Sequence, residues 1–174
     1  GESLGLLRSI NGFLGENDNG HPGRFIFTKQ LESFTNESLT KIAHSYLKWQ
    51  RQYSSENVHV IDKLPHNFIY SPLLPKLFPK AKFIFVKRNP VANCLSIFEQ
   101  NFSLFHNYGG NISTLINYYK AFEGYMDTVM SLYPNGEFYQ LNYENLVENN
   151  EVEIKALLKY CGLPFEKSCL DFNK

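Results

Sequence analysis

The chain has 174 residues, 43% of them apolar and 16% aromatic. That length and hydrophobicity are enough for a packed core and exclude a disordered chain. Seventeen basic residues balance seventeen acidic ones, which argues against a nucleic-acid footprint but leaves room for a local anion pocket. No apolar run reaches the roughly 18 residues of a membrane span. Cys94, Cys161 and Cys169 are odd in number and lack a Cys-x-x-Cys spacing, so a reducing compartment fits better than a disulfide framework or a zinc site.

In chain order, no charged-then-apolar leader precedes the first elements, and a start at Gly1 rather than Met reads as a processed or partial chain. Residues 12–23, rich in Gly, Asn and Asp, read as a surface loop. Leu39, Ile42, Ala43, Tyr46, Leu47 and Trp49 recur near helical spacing and predict an amphipathic helix over 36–54. VHVID (58–62) is β-branched with alternating apolar positions and predicts a strand. FIYSPLLPKLF predicts a short helix with a proline near its start. KFIFV, apolar throughout, predicts a strand buried on both faces, as in a helix-covered parallel sheet. Asn89 is a good N-cap and Pro90 suits the first helical position, which predicts a helix reaching about Phe102. A long helix follows over 112–133, stopped by Pro134-Asn135-Gly136. FYQLNY (138–143) is a further strand, and 151–161 a last helix ended by Gly162 and Pro164.

Strands alternating with helices predict an α/β chain with a mostly parallel sheet. Ligands of such sheets bind at the carboxyl ends of the strands. Those ends carry Asp62-Lys63, Lys87-Arg88-Asn89 and Asn142-Tyr143-Glu144. Arg88 stands at a strand exit just before a helix start, where unpaired N–H groups and the dipole favour an anion, and its planar guanidinium suits a phosphate. Ser96 lies seven residues after the N-cap, about two turns on, and so on the same helix face. The plain alternative is a surface arginine and a small helix serine. The five histidines are scattered without the i, i+4 spacing of a helical metal site, and no metal is expected.

VIDKLPHNF, then LFPKAKFIFVKRNPVANCLSIFEQNF, then YQLNYENLVENNEVEIKALLKYCGLPFEKSCLDF together resemble the sulfotransferases that use 3′-phosphoadenosine 5′-phosphosulfate (PAPS). The likeness is strongest to the group containing the tetratricopeptide-repeat sulfotransferases, and extends to the protein-tyrosine sulfotransferases. It covers nearly the whole chain, with residues 11–30 the weakest part. It implies a three-layer, P-loop-like α/β fold, incomplete at both ends, in a single partial domain over 1–174. It implies that Arg88 and Ser96 hold the 3′-phosphate of PAPS and that Tyr143 lines the nucleotide site. It implies that Lys63 steadies charge during sulfuryl transfer and that Glu2, in GESL, is the general base. PAPS is then the co-substrate, PAP the product, and the acceptor a protein tyrosine, a sugar or a small alcohol, with no nucleic-acid partner.

Two departures qualify the likeness. The family's phosphosulfate-binding loop would lie before Gly1, and no Walker-type sequence occurs within the chain. Gln100 stands where tyrosine sulfotransferases carry a second arginine. A nucleotide-kinase-like enzyme and a degenerate, non-catalytic nucleotide-binding scaffold are the alternatives. A cytoplasmic location is expected, with the Golgi lumen as the other option.

Overall fold

The computed structural model describes residues 5–14, 33–52, 59–100 and 110–171. The chain divides into two compact units, Gly1–Ala81 and Lys82–Lys174.

In the first unit, α1 (Gly5–Leu14) and α2 (Asn36–Arg51) are followed by a 3-10 turn (Pro65–Tyr70) and the short α3 (Leu74–Leu77). Leu6 and Ile10 of α1, Ile42 of α2, and Ile69, Tyr70, Leu73 and Leu77 form one buried cluster. α1 is not among the expected elements, although Leu6, Ile10 and Phe13 sit at i, i+4 and i+7. Thr35 caps α2 by accepting the Ser38 N–H at 3.2 Å. Glu37 in its first turn and Lys48 and Arg51 in its last complement the helix dipole. Positions 53 and 54 of the expected helix, and most of the expected loop over 12–23, lie outside the described residues.

The two helices approach closely at Gly5. A Cβ there would collide with the Trp49 ring. Alanine is ordinarily the better helix former by about 1 kcal/mol, but an overpacked contact costs about 1–3 kcal/mol. The contact wins, so Gly5→Ala should lower the melting temperature by several degrees in a thermal scan.

The expected strand over 58–62 is not formed. His59 to Asp62 adopt no regular structure, and Val60 and Ile61 are exposed, Ile61 at 92%. Alternating β-branched residues supply propensity, but a strand exists only where a ladder partner and a face to bury are provided. The segment is tied to α2 through polar groups instead. Tyr46 donates its hydroxyl to Asp62 Oδ2 at 2.5 Å, and Gln50 donates to the Tyr46 oxygen at 2.6 Å. Asn67 Nδ2 reaches Asp62 Oδ1 at 3.4 Å. Burial first, and the Asp62 carboxylate second, push the Tyr46 phenol far above its ordinary range, so it remains a donor across working pH.

In the second unit β1 (Phe83–Lys87) leads into α4 (Pro90–Glu99) and α5 (Ile112–Leu132). Then come β2 (Phe138–Asn142), α6 (Tyr143–Glu148), α7 (Asn150–Cys161) and a last 3-10 turn (Lys167–Leu170). The strands pair in parallel, from Phe83 opposite Phe138 to Lys87 opposite Asn142. Leu115, Tyr119, Met126 and Val129 form the buried side of α5, as their spacing predicts. Phe85 meets Phe122 of that helix with ring centroids 5.9 Å apart. Gly162 closes α7 in the left-handed conformation at φ 72°, where glycine carries no side-chain penalty.

KFIFV is not buried on both faces. Ile84 and Val86 are 43% and 54% exposed, and the strand alternates between half-buried and exposed positions. Its composition is apolar on both sides, but what covers a sheet face is a tertiary matter. At the opposite end of the strands, Tyr160 of α7 donates its hydroxyl to Glu137 O at 2.7 Å and accepts from Phe83 N at 3.3 Å. That bond links the starts of β1 and β2.

Candidate functional site

The carboxyl ends of β1 and β2 lie side by side because Lys87 and Asn142 are the last ladder pair. One residue further along each strand stand Arg88 and Tyr143. The register therefore brings together two residues 55 positions apart, with the Arg88 guanidinium carbon 5.1 Å from the Tyr143 ring centroid. Such a contact orients the guanidinium plane without neutralising its charge. Arg88 Nε is buried and has no hydrogen-bond partner among the described residues. A buried donor left unpaired is costly and rare, and an anion that accepts from it removes the cost.

Beside this pair is a cleft of ≈ 220 Å³, walled by Phe85, Tyr119, Phe122 and Met126, with Lys87, Arg88, Asn93, Glu123, Asp127 and Tyr143 as its polar lining. It is below the roughly 300 Å³ at the small end of ligand pockets, so it has room for a small group only. Lys87 Nζ lies 3.9 Å from Glu123 Oε1, a loose and half-exposed pair of small energetic weight.

The start of α4 differs from the expected open anion site. Asn89 N–H donates to Glu144 Oε1 at 2.8 Å, and Pro90 has no N–H. Val91 N and Ala92 N both donate to Asn89 Oδ1, at 3.0 and 3.1 Å. Asn93 N returns to Asn89 O at 2.9 Å. Every backbone donor of the first turn is thus taken. An anion here must be gripped by side chains, above all by Arg88, and not by the helix start itself.

The other candidate residues are placed as follows. Ser96 lies on α4, half-buried, two turns past Asn89, and does not line the cleft. Lys63 belongs to the first unit, exposed, directly after the Asp62 that Tyr46 holds. Glu2 lies outside the described residues. Sequence reasoning gave no role to Glu144, although YENL carries it beside Tyr143. The Asn89 N–H, its own N–H and the nearby Arg88 charge hold its carboxyl below the usual range. Among the described residues no group of three His, Cys, Asp or Glu gathers with metal-holding geometry, and no helix is long and apolar enough to cross a membrane.

A family model described as the sulfotransferase family matches residues 14–167. The chain belongs to the sulfotransferase family. That sets aside the nucleotide-kinase alternative. The chain is also 35% identical over 147 residues to an "Uncharacterized protein" of Aquifex aeolicus (strain VF5), a match covering 81% of this chain and 19% of that protein. This sulfotransferase-family chain thus spans about a fifth of the length of the curated relative it matches. No solved structure matches it.

Proposed function

We propose that the protein carrying this chain transfers a sulfuryl group from PAPS to a hydroxyl acceptor, a protein tyrosine, a sugar or a small alcohol. In this reading the two units are parts of one sulfotransferase domain with a three-layer, P-loop-like architecture. The observation that carries it is the Arg88 guanidinium, laid over Tyr143 at a strand exit with its buried Nε unpartnered among the described residues. That arrangement fits a phosphate, since a guanidinium fork and a phosphate match in geometry and charge.

When bound, the co-substrate supplies an activated sulfuryl group and the 3′-phosphate by which it is held. Arg88 and Ser96 hold that phosphate, and the Tyr143 ring lines the nucleotide site. Glu2 takes the proton of the attacking hydroxyl as the acceptor oxygen bonds to sulfur and the bridging S–O bond breaks. The Lys63 ammonium meets the charge that builds on the bridging and leaving oxygens, which lowers the barrier only if it is fixed in place beforehand. The Tyr46–Asp62 bond holds the residue next to it. Positioning and fixed charge supply the catalysis, as in phosphoryl transfer. A cytoplasmic location accords with Cys94, Cys161 and Cys169 all being free thiols.

The test is incubation of the full-length protein with sulfur-labelled PAPS and one representative of each acceptor class. Label should pass to one class with equimolar release of PAP. A folded protein that labels none of them and releases no PAP overturns the proposal.

A further inference from the structure

In a capping box the N-cap's own N–H is satisfied from within the helix, by a Glu or Gln at the third position reaching back. In α4 that position is Ala92, which has nothing to reach with. The acceptor comes from Glu144, 55 residues further along, at the first turn of α6. Its bond to Asn89 N–H lies two residues beyond the last ladder pair, Lys87 and Asn142. Arg88 is therefore fixed on both sides, by the ladder at Lys87 and by Glu144 at Asn89. Tyr143 is fixed in the same way, between Asn142 in the ladder and Glu144 itself. The six residues close a ring in which the guanidinium and the phenol ring face each other.

We infer that Glu144 is a positioning residue for anion recognition: by accepting the Asn89 N–H it holds Arg88 over Tyr143 in the orientation that grips a 3′-phosphate. This rests on the nucleotide reading above. The carboxylate's charge works against an anion, because it lies within electrostatic reach of the same guanidinium. Its benefit to binding must therefore come from the hydrogen bond, and charge and geometry can be separated by substitution. Glu144→Gln keeps an acceptor oxygen and loses the charge. Glu144→Ala loses both.

The experiment is calorimetric titration of PAP, and of adenosine 5′-phosphate (AMP), into the full-length protein and its variants. AMP lacks the 3′-phosphate, so it reports on the rest of the nucleotide site. Glu144→Ala should weaken PAP by about fivefold or more, as expected when the geometry of a charge-assisted bond is lost, and leave AMP within about twofold. Glu144→Gln should restore PAP affinity to the parent value or better. In an Arg88→Ala background Glu144→Ala should have no further effect on PAP, because the two act through one contact. Equal losses for PAP and AMP would mean a general structural role and overturn the inference. So would an undiminished effect in the Arg88→Ala background, or a Gln variant as weak as the Ala one. If Arg88→Ala itself leaves the preference for PAP over AMP intact, the nucleotide reading fails first, and the role of Glu144 fails with it.

Discussion

Lys63→Ala in the full-length protein is expected to lower kcat for sulfuryl transfer by about 100- to 1000-fold while KM for PAPS stays within about threefold. A fixed charge that meets developing negative charge acts in the transition state and hardly in the ground state, and removing one such group typically costs that factor. The local structure anchors the backbone beside it, while the Lys63 side chain itself is exposed. Lys63 follows Asp62, which is anchored to α2 by the half-buried Tyr46 hydroxyl and reached from the next turn by Asn67. A segment without regular structure is thereby given a defined position. Steady-state kinetics with PAPS varied would check this. An unchanged kcat would remove Lys63 from the mechanism, and a rise in KM alone would make it a binding residue.

Arg88→Ala is expected to weaken PAP by about 10- to 100-fold. A hydrogen bond to a charged group contributes about 1.5–3 kcal/mol, and about 1.4 kcal/mol is tenfold in affinity. Two features place the effect in the upper part of that range. The Arg88 Nε is already removed from water and has no partner among the described residues, so its desolvation is not a cost of binding. The backbone N–H groups at the start of α4 are committed to Asn89 and Glu144, so they are not a reserve when the guanidinium is lost. Arg88→Lys should fall between parent and alanine, because the ammonium keeps the charge but not the planar fork. Titration of PAP into the three proteins measures all of this. An alanine variant within threefold of the parent would contradict it.

What was legible in the sequence was local. The helices over 36–51 and 112–132 follow from periodicity, the cap at Asn89-Pro90 from residue chemistry, and the end at Gly162 from backbone freedom. Each depends on neighbours within a few residues. The errors concern partners further away. Val58 to Asp62 has the composition of a strand, but pairing is decided by another segment, and His59 to Asp62 are held by a tyrosine of α2 instead. KFIFV has two apolar faces, of which the Ile84–Val86 face is exposed. The first helix was not expected, although Leu6, Ile10 and Phe13 carry its spacing.

The candidate site divides in the same way. Arg88 could be singled out from its place between strand and helix. Its meeting with Tyr143 could not, because it depends on the parallel register that sets Lys87 opposite Asn142. The closure of the helix start was equally hidden. Its decisive acceptor, Glu144, comes from 55 residues away, where the usual capping residue would be three positions along the same helix.

In the proposed function the strand ends at Arg88 and Tyr143 recognise a 3′-phosphorylated nucleotide. The most direct test is calorimetric titration of PAP and AMP into the unmodified full-length protein. Saturable binding of PAP at least tenfold tighter than AMP is the predicted result, since the proposed function assigns the 3′-phosphate to Arg88. A folded protein that binds the two with equal affinity, or binds neither, would contradict the account.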